Sequence, residues 1–264
     1  MGNHRDRGRL ALITGASSGL GAAFARRLAA EGYDLIITGR REERLKALSE
    51  ELSRAHGVII ETIVADLADP EGVAALTERI RVTPKLELLI NNAGFGSRRP
   101  FHKEDLQGQE KMVRVHILAT MALTYAAIPN MIEEGRGAII NVSSLAGFAP
   151  LPGNVTYSGT KAFLSAFSEA LNMELARTGV KVQALCPGLT RTEFHSRMGI
   201  DPARLKSKGL IRWMAPEEVV EASLNCLAKG RVICIPGWGN RAVFYLLRLI
   251  PRGLYYRFAR SPSA

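Results

Sequence analysis

The sequence predicts an open, doubly wound α/β sheet of about seven parallel strands with helices on both faces. Three observations lead there. Short apolar runs alternate along the 264 residues with longer amphipathic ones. The short runs are near-continuous in Val, Ile and Leu, as strands buried on both faces should be. Repeated β-α-β alternation implies a parallel sheet, and right-handed crossovers then distribute helices over both faces. There is no internal repeat, low-complexity tract or long linker, so residues 1–264 read as one domain.

Taken in order, the strand segments are Leu10–Thr14, Tyr33–Thr38, Val58–Ala65, Leu86–Asn91, Ala138–Ser143, Val180–Cys186 and Val232–Ile235. Helical periodicity lies between them, as over Arg41–Ala55, Glu104–Glu134 and Val155–Thr178. A further helix starts near Pro216.

Composition narrows the function. Hydrophobic residues make up 47%, ample for a core. The formal charge is +10 and the pI about 9.8. Lys and Arg are spread along the chain with some enrichment at both ends, and no basic run is interleaved with aromatics as a nucleic-acid groove requires. The charge therefore reads as solvation plus an anionic cofactor, with no nucleic-acid partner. Cys186, Cys226 and Cys234 are odd in number and lack metal-ligand spacing. They read as small buried residues of a reducing compartment, with no metal site. The segment "MGNHRDRGRL" lacks the apolar core of a signal peptide, and no uninterrupted apolar run reaches the length of a bilayer span. The expected location is cytoplasmic.

The first strand runs directly into "TGASSGLG", which places Gly15, Gly19 and Gly21 between a strand and a helix rich in Ala and Leu. Glycines allow a tight turn and let backbone N–H groups approach a pyrophosphate at a helix N-terminus. The context predicts a Rossmann-like dinucleotide site. The second strand ends in "TGRR", where an NAD site usually offers an acid to the ribose 2′-hydroxyl. Arg40 stands there instead, and its planar donor fork suits a 2′-phosphate. The expected cofactor is NADP(H) rather than NAD.

In "TYSGTKAF", Tyr157 and Lys161 are four residues apart and share a helix face. Alone, that pair is common. Ordered with the other motifs it becomes specific. "TGASSGLG", "DL" at Asp66–Leu67, "NNAG" at Asn91–Gly94, "NVSSLAG" at Asn141–Gly147, "YSGTK" and "CPGLTRT" together resemble the short-chain dehydrogenase/reductase family over nearly the whole chain.

The resemblance implies a set of roles. Tyr157 would give a proton to a carbonyl oxygen in reduction, or remove one in oxidation. Lys161 would lower the phenol pKa and hold the nicotinamide ribose. The family's serine lies thirteen residues before the tyrosine, which selects Ser144 over Ser143. It would steady developing alkoxide charge. Small residues at Ser158, Gly159 and Thr160 would leave room for cofactor and substrate. The cofactor turn would comprise Gly15, Ser17, Ser18, Gly19, Leu20 and Gly21. Asp66 and Leu67 would receive the adenine. Asn92, Ala93 and Gly94 would line the cofactor, with Asn91 in support. Pro187 and Gly188 would pack on the nicotinamide. Leu189 backbone and the Thr192 hydroxyl are candidates for its carboxamide, with Thr190 as a rival.

One position departs from the family pattern. A fourth residue, commonly asparagine in the long helix, is His116 here. An imidazole can donate, accept and relay protons, so the expectation is a catalytic relay near Lys161 that alters the pH profile. The same departure keeps a second class open, a cofactor-binding regulatory or scaffold protein with weak or lost catalysis.

Substrate choice is expected from a lid near residues 190–215. It mixes Phe194, Met198, Leu210, Ile211, Trp213 and Met214 with Arg197, Arg204, Lys206 and Lys208. Such a lid suits an apolar carbonyl or alcohol compound with an anionic handle, such as a 3-oxoacyl thioester. The tail near residues 240–264 is apolar, aromatic and interrupted by arginines. It suits packing on a partner subunit, or peripheral contact with anionic lipid. The family resemblance also implies a homodimer or homotetramer built on the long helices.

Overall fold

A computed structural model describes residues 8–194 and 212–259. Its sheet has seven strands: β1 (Leu10–Thr14), β2 (Asp34–Gly39), β3 (Ile60–Val64), β4 (Leu86–Asn91), β5 (Gly137–Val142), β6 (Val180–Leu185) and β7 (Ile233–Cys234). Their spatial order is β3-β2-β1-β4-β5-β6-β7, and every neighbouring pair is parallel. This is the Rossmann-like architecture the sequence predicts. The order reverses between β1 and β4, which opens a crevice beyond the carboxyl ends of those strands.

The helices are α1 (Gly19–Ala30), α2 (Glu42–His56), α3 (Pro70–Arg81), α4 (Leu106–Val113), α5 (Ala119–Glu133), α6 (Val155–Glu174), α7 (Pro216–Ala228), α8 (Trp238–Leu249) and α9 (Arg252–Ala259). Period-two alternation assigns each strand residue to one of two cores. Ala11, Ile13, Leu35, Ile37 and Ile140 face the layer of α1, α2 and α7. Leu12, Ile36, Leu89 and Ile139 face that of α3 and α5. Nearly all are fully buried, which is why the strands read as unbroken apolar runs.

The expected helix over Glu104–Glu134 is found as one continuous run from Leu106 to Glu133 with a wider turn within it. A π-helical turn at Arg114–Leu118 joins α4 to α5 without a break in direction of the chain. The wider turn matters because it carries His116, which is 1% exposed. The continuous run Leu106–Glu133 has mean hydropathy 1.4 and is long and apolar enough to cross a membrane by those measures. Half of that apolar window is nevertheless buried in the protein, and α5 packs on α3 and β4 as a core helix does.

The C-terminal tail forms α8 and α9, which fold back over the β5–α6 connection. Phe244 meets Phe148 edge-to-face at 4.8 Å, and the Tyr255 hydroxyl donates to the Pro150 carbonyl at 2.7 Å.

Candidate active site

The crevice at the switch point is a cleft of about 890 Å³. Its floor is the glycine turn between β1 and α1. Gly15 has φ +67° and Gly19 φ +57°, a region that favours glycine. At Gly21 the restriction is space instead: a Cβ would stand 2.4 Å from the Gly15 carbonyl oxygen and 2.6 Å from Asn92 Nδ2. The turn therefore brings bare backbone to the N-terminus of α1, a cradle that suits a pyrophosphate. The residues expected for the cofactor line this cleft except Gly21, which packs beneath it, and the supporting Asn91.

The neighbouring loop is pinned by Thr14. Its hydroxyl accepts from the Asn92 and Ala93 N–H groups, both at 2.9 Å. Asn92 Nδ2 in turn donates to the Thr14 carbonyl at 2.8 Å. Asn91 does not join them. Its Nδ2 donates to Asn141 Oδ1 at 2.8 Å and Thr124 Oγ1 at 3.1 Å, away from the cleft. The pleat turns adjacent asparagines to opposite sides, so Asn91 braces β4 against β5 and α5 rather than supporting a cofactor.

Asp66 and Leu67 line the far end of the cleft with Arg40 and Arg41. Burial opposes ionisation of Asp66, but the Ala68 N–H at 3.0 Å, Lys111 at 3.0 Å and Arg40 at 3.6 Å bring its pKa below the ordinary value. Arg41, which the motif comparison passed over, is bonded to the turn itself. It donates to Ser17 Oγ at 3.1 and 3.0 Å and to Ser18 Oγ at 2.6 Å. The adjacent "RR" was visible in the sequence; which arginine reached the turn was decided by the start of α2.

At the other end, β5 and α6 place Ser144, Tyr157 and Lys161 together on the cleft wall. The Ser144 hydroxyl, which accepts from the Ala146 N–H at 3.1 Å, shares this wall with the Tyr157 phenol and counters part of the burial cost of its ionised form. Ser143 turns inward and donates to the Lys161 carbonyl at 2.6 Å, so the choice between the two serines is made by strand alternation. Lys161 Nζ lies 5.6 Å from the centre of the Tyr157 ring and donates to the Val142 carbonyl at 2.8 Å.

The expected lowering of the tyrosine pKa is reversed in this geometry. Burial pushes the phenol up to about 12, against the opposing influence of the Ser144 hydroxyl. Burial also pushes Lys161 down to about 7. Withdrawal from water penalises phenolate and ammonium alike, and a lysine near 7 carries only part of its charge at neutral pH. Room for ligands does not come from the small residues between them either. Ser158 and Thr160 are buried in packing, and Gly159 faces open space.

His116 lies behind Tyr157, ring centres 6.0 Å apart and edge-on. Its Nε2 accepts from the Phe95 N–H at 3.1 Å, and Nδ1 meets the Thr160 hydroxyl at 2.9 Å. Thr160 spends its own proton on the Tyr157 carbonyl at 2.9 Å, so Nδ1–H is the donor and the imidazole is neutral. Burial first, and the charge of Lys161 second, hold its pKa well below 6.5. Both ring nitrogens thus bond to protein groups. The geometry gives His116 the part of a bridge from the Phe95 loop to α6, where a relay needs a nitrogen open to Lys161 or its water.

Gly188 sits against Asn240, where a Cβ would come within 2.6 Å of Oδ1. Leu189 and Arg191 exchange backbone hydrogen bonds with Met214, each at 3.0 Å. Thr190 is buried and donates back to the Gly188 carbonyl at 3.2 Å, whereas Thr192 abuts Gly19 of the cofactor turn. Phe194 tilts over Tyr157 at 5.6 Å. Met198, Leu210, Ile211, Arg197, Arg204, Lys206 and Lys208 of the expected lid lie outside the described residues. The sequence reading missed Asn240, Val243 and Leu247, which α8 places on the cleft wall. A period-3.6 pattern was present there, but nothing local says which way a C-terminal helix folds.

A family profile described as short chain dehydrogenase matches residues 9–202. The chain belongs to the short-chain dehydrogenase/reductase family. It is accordingly an oxidoreductase acting on CH–OH groups with a nicotinamide dinucleotide. It is 41% identical over 188 residues to sulfoacetaldehyde reductase 2 of Chromohalobacter salexigens, covering 70% of this chain and 74% of that one. It is 34% identical to a 3-oxoacyl-(acyl-carrier-protein) reductase of Aquifex aeolicus, over 82% of this chain and 89% of that one. The solved short-chain dehydrogenase from Sphingobium yanoikuyae in complex with NADPH superposes with a TM-score of 0.84 at 36% identity, over 97% and 98% of the two chains.

Proposed function

We propose that the chain is an NADP(H)-dependent oxidoreductase that interconverts a ketone and a secondary alcohol on an apolar compound, a 3-oxoacyl thioester being one candidate. The observation that carries the reading is the convergence of Ser144, Tyr157 and Lys161 on one wall, with Lys161 Nζ 5.6 Å from the centre of the Tyr157 ring, at the end of a cleft floored by the glycine turn. A bound nicotinamide dinucleotide supplies or accepts the hydride. Gly15 to Leu20 would hold its pyrophosphate, Asp66 and Leu67 its adenine, and Asn92 to Gly94 with Pro187 to Thr192 its nicotinamide half.

The chain's own residues do the rest. Tyr157 keeps its proton at neutral pH, which suits it to protonate a carbonyl oxygen as alkoxide charge develops. Ser144 donates a second hydrogen bond to that oxygen. Lys161, whose Nζ donates to the Val142 carbonyl, would hold the nicotinamide ribose. Phe95, Leu145, Leu151, Phe194, Val243 and Leu247 supply an apolar wall, and Arg98 at the rim supplies a cation for an anionic substituent. The 3-oxoacyl relative supports that substrate class. Arg40 and Arg41 beside Ser17 and Ser18 support NADP(H), as does the NADPH-bound relative.

Exposed Leu118, Met121 and Tyr125 on the α5 side support a homodimer or homotetramer through the long helices, to be checked by light scattering. The cysteines are unpaired, which supports a reducing, cytoplasmic setting. The main test is nicotinamide fluorescence with NADPH or NADH, with and without a panel of ketones and acyl thioesters. NADPH bound preferentially and consumed only with a carbonyl is the expected result. Binding without turnover across the panel favours the regulatory alternative, and equal affinities for the two cofactors refute the NADP(H) assignment.

A further inference from the structure

Glu193 lies outside every motif in the sequence, yet it closes an ion-pair cluster at the adenosine end of the cleft. One carboxylate oxygen accepts from Arg41 Nη1 at 2.9 Å, and the other pairs with Arg44 Nη1. Arg41 is the same side chain whose Nε and Nη2 reach Ser17 and Ser18 of the cofactor turn. Glu193 follows Thr192, which itself abuts Gly19. The carboxylate thus comes from the wall after β6, opposite the strand end that carries the arginines. Its pKa is held at about 2 by hydrogen bonds from Arg44 and Arg41, so it is an anion at any working pH. Arg40 is engaged separately by Asp66 at 3.6 Å.

The end of β2 is where a dinucleotide's ribose 2′ position is read, by an acid for a hydroxyl or by an arginine for a phosphate. Here the arginine nearest the turn already bonds a carboxylate. A 2′-phosphate and the Glu193 carboxylate need the same planar donors, and two like charges on one guanidinium repel.

We propose that Glu193 is a specificity-determining residue that competes with the cofactor 2′-phosphate for Arg41, so that it holds NADPH affinity below what that arginine alone would provide. The inference rests on the NADP(H) reading above and extends it. The carboxylate preorganises Arg41 against the turn before cofactor arrives, at the cost of discrimination between the phosphorylated and unphosphorylated dinucleotides. Glu193 and Arg44 are about half-exposed, so the effect is modest and sensitive to salt.

The test is equilibrium binding of NADPH and of NADH, each followed by nicotinamide fluorescence without substrate, to the wild type and Glu193→Gln at low and high salt. Glutamine keeps size and hydrogen bonding and removes the charge. Glu193→Gln is expected to bind NADPH about three- to tenfold more tightly at low salt, with NADH changed by less than about twofold. High salt should shrink the NADPH gain. Unchanged or weaker NADPH binding in Glu193→Gln overturns the proposal. So does weaker NADH binding at constant NADPH affinity, which would make Glu193 a ligand of the ribose hydroxyl. The NADP(H) reading fails separately, if the wild type itself shows no preference for NADPH; a wild-type preference that Glu193→Gln leaves unaltered removes only the competitor role.

Discussion

Replacing Lys161 with methionine should abolish a specific rise of stability with pH. The lysine is 4% exposed, and the acceptor found for its Nζ is the Val142 carbonyl. An ammonium has three donors to satisfy, so the neutral amine is favoured and the folded-state pKa falls from 10.5 to about 7. The unfolded chain then holds one more proton than the folded one between those values. For a depressed pKa the stability is fully present above the unfolded value and is lost as pH falls through the folded one. Between pH 7 and 9 the gain integrates to about 2 kcal/mol, at about 1.4 kcal/mol per pH unit and half-titration at the lower limit. Other buried groups add smaller terms, the largest at the upper edge of this window. His116 acts below 6.5 and Tyr157, raised from 10.0, above the window, while Cys186 and Cys234, both raised from 9.0 by burial, oppose the gain by about 0.4 kcal/mol each as pH reaches 9, leaving a net rise of about 1.5 kcal/mol. Urea unfolding at pH 7, 8 and 9 measures the effect. The wild-type midpoint should climb by roughly 0.5–0.8 M over that range, given m-values of about 2–3 kcal/mol/M. Lys161→Met should lose that rise and decline slightly, because only the opposing cysteines still titrate there. Parallel curves for the two proteins would refute the burial argument for Lys161.

Tyr157→Phe should lose about two to four orders of magnitude in turnover while NADPH binding by fluorescence stays within about twofold, since only the proton donor is removed; comparable turnover would sink its catalytic assignment. Gly21→Ala should cost about 1–3 kcal/mol and weaken dinucleotide binding sharply, because its Cβ would stand 2.4 Å from the Gly15 carbonyl oxygen in the cradle itself; thermal melts and titration check both, and wild-type behaviour in each contradicts the packing. His116→Ala should destabilise by about 1–3 kcal/mol by orphaning the Phe95 N–H, which accounts for a structural role. Because the imidazole is neutral throughout the working range, the pH–rate profile of His116→Asn should superimpose on the wild type; a step lost in His116→Asn would restore the proton relay and overturn the bridge.

The sequence alone was enough for every strand of the sheet, because the inner strands, buried on both faces, must be largely apolar, and even the partly exposed edge strand β3 keeps β-branched residues. It was enough as well for the glycine turn and for the meeting of Ser144, Tyr157 and Lys161 on one cleft wall, which depends on spacing along one strand end and one helix. Tertiary structure decided what local spacing cannot carry. The electrostatic sign at Tyr157 and Lys161 depends on how much water the packed elements exclude, and that reversed the expected pKa shift. The part played by His116 depends on Phe95 and Thr160, which reach it from a different loop and a different helix. The wall formed by Asn240, Val243 and Leu247 depends on a C-terminal helix folding back onto the cleft. The hold of Glu193 on Arg41 joins residues 152 positions apart. Contacts of that separation are set by the closing of the whole sheet, so no window of sequence contains them.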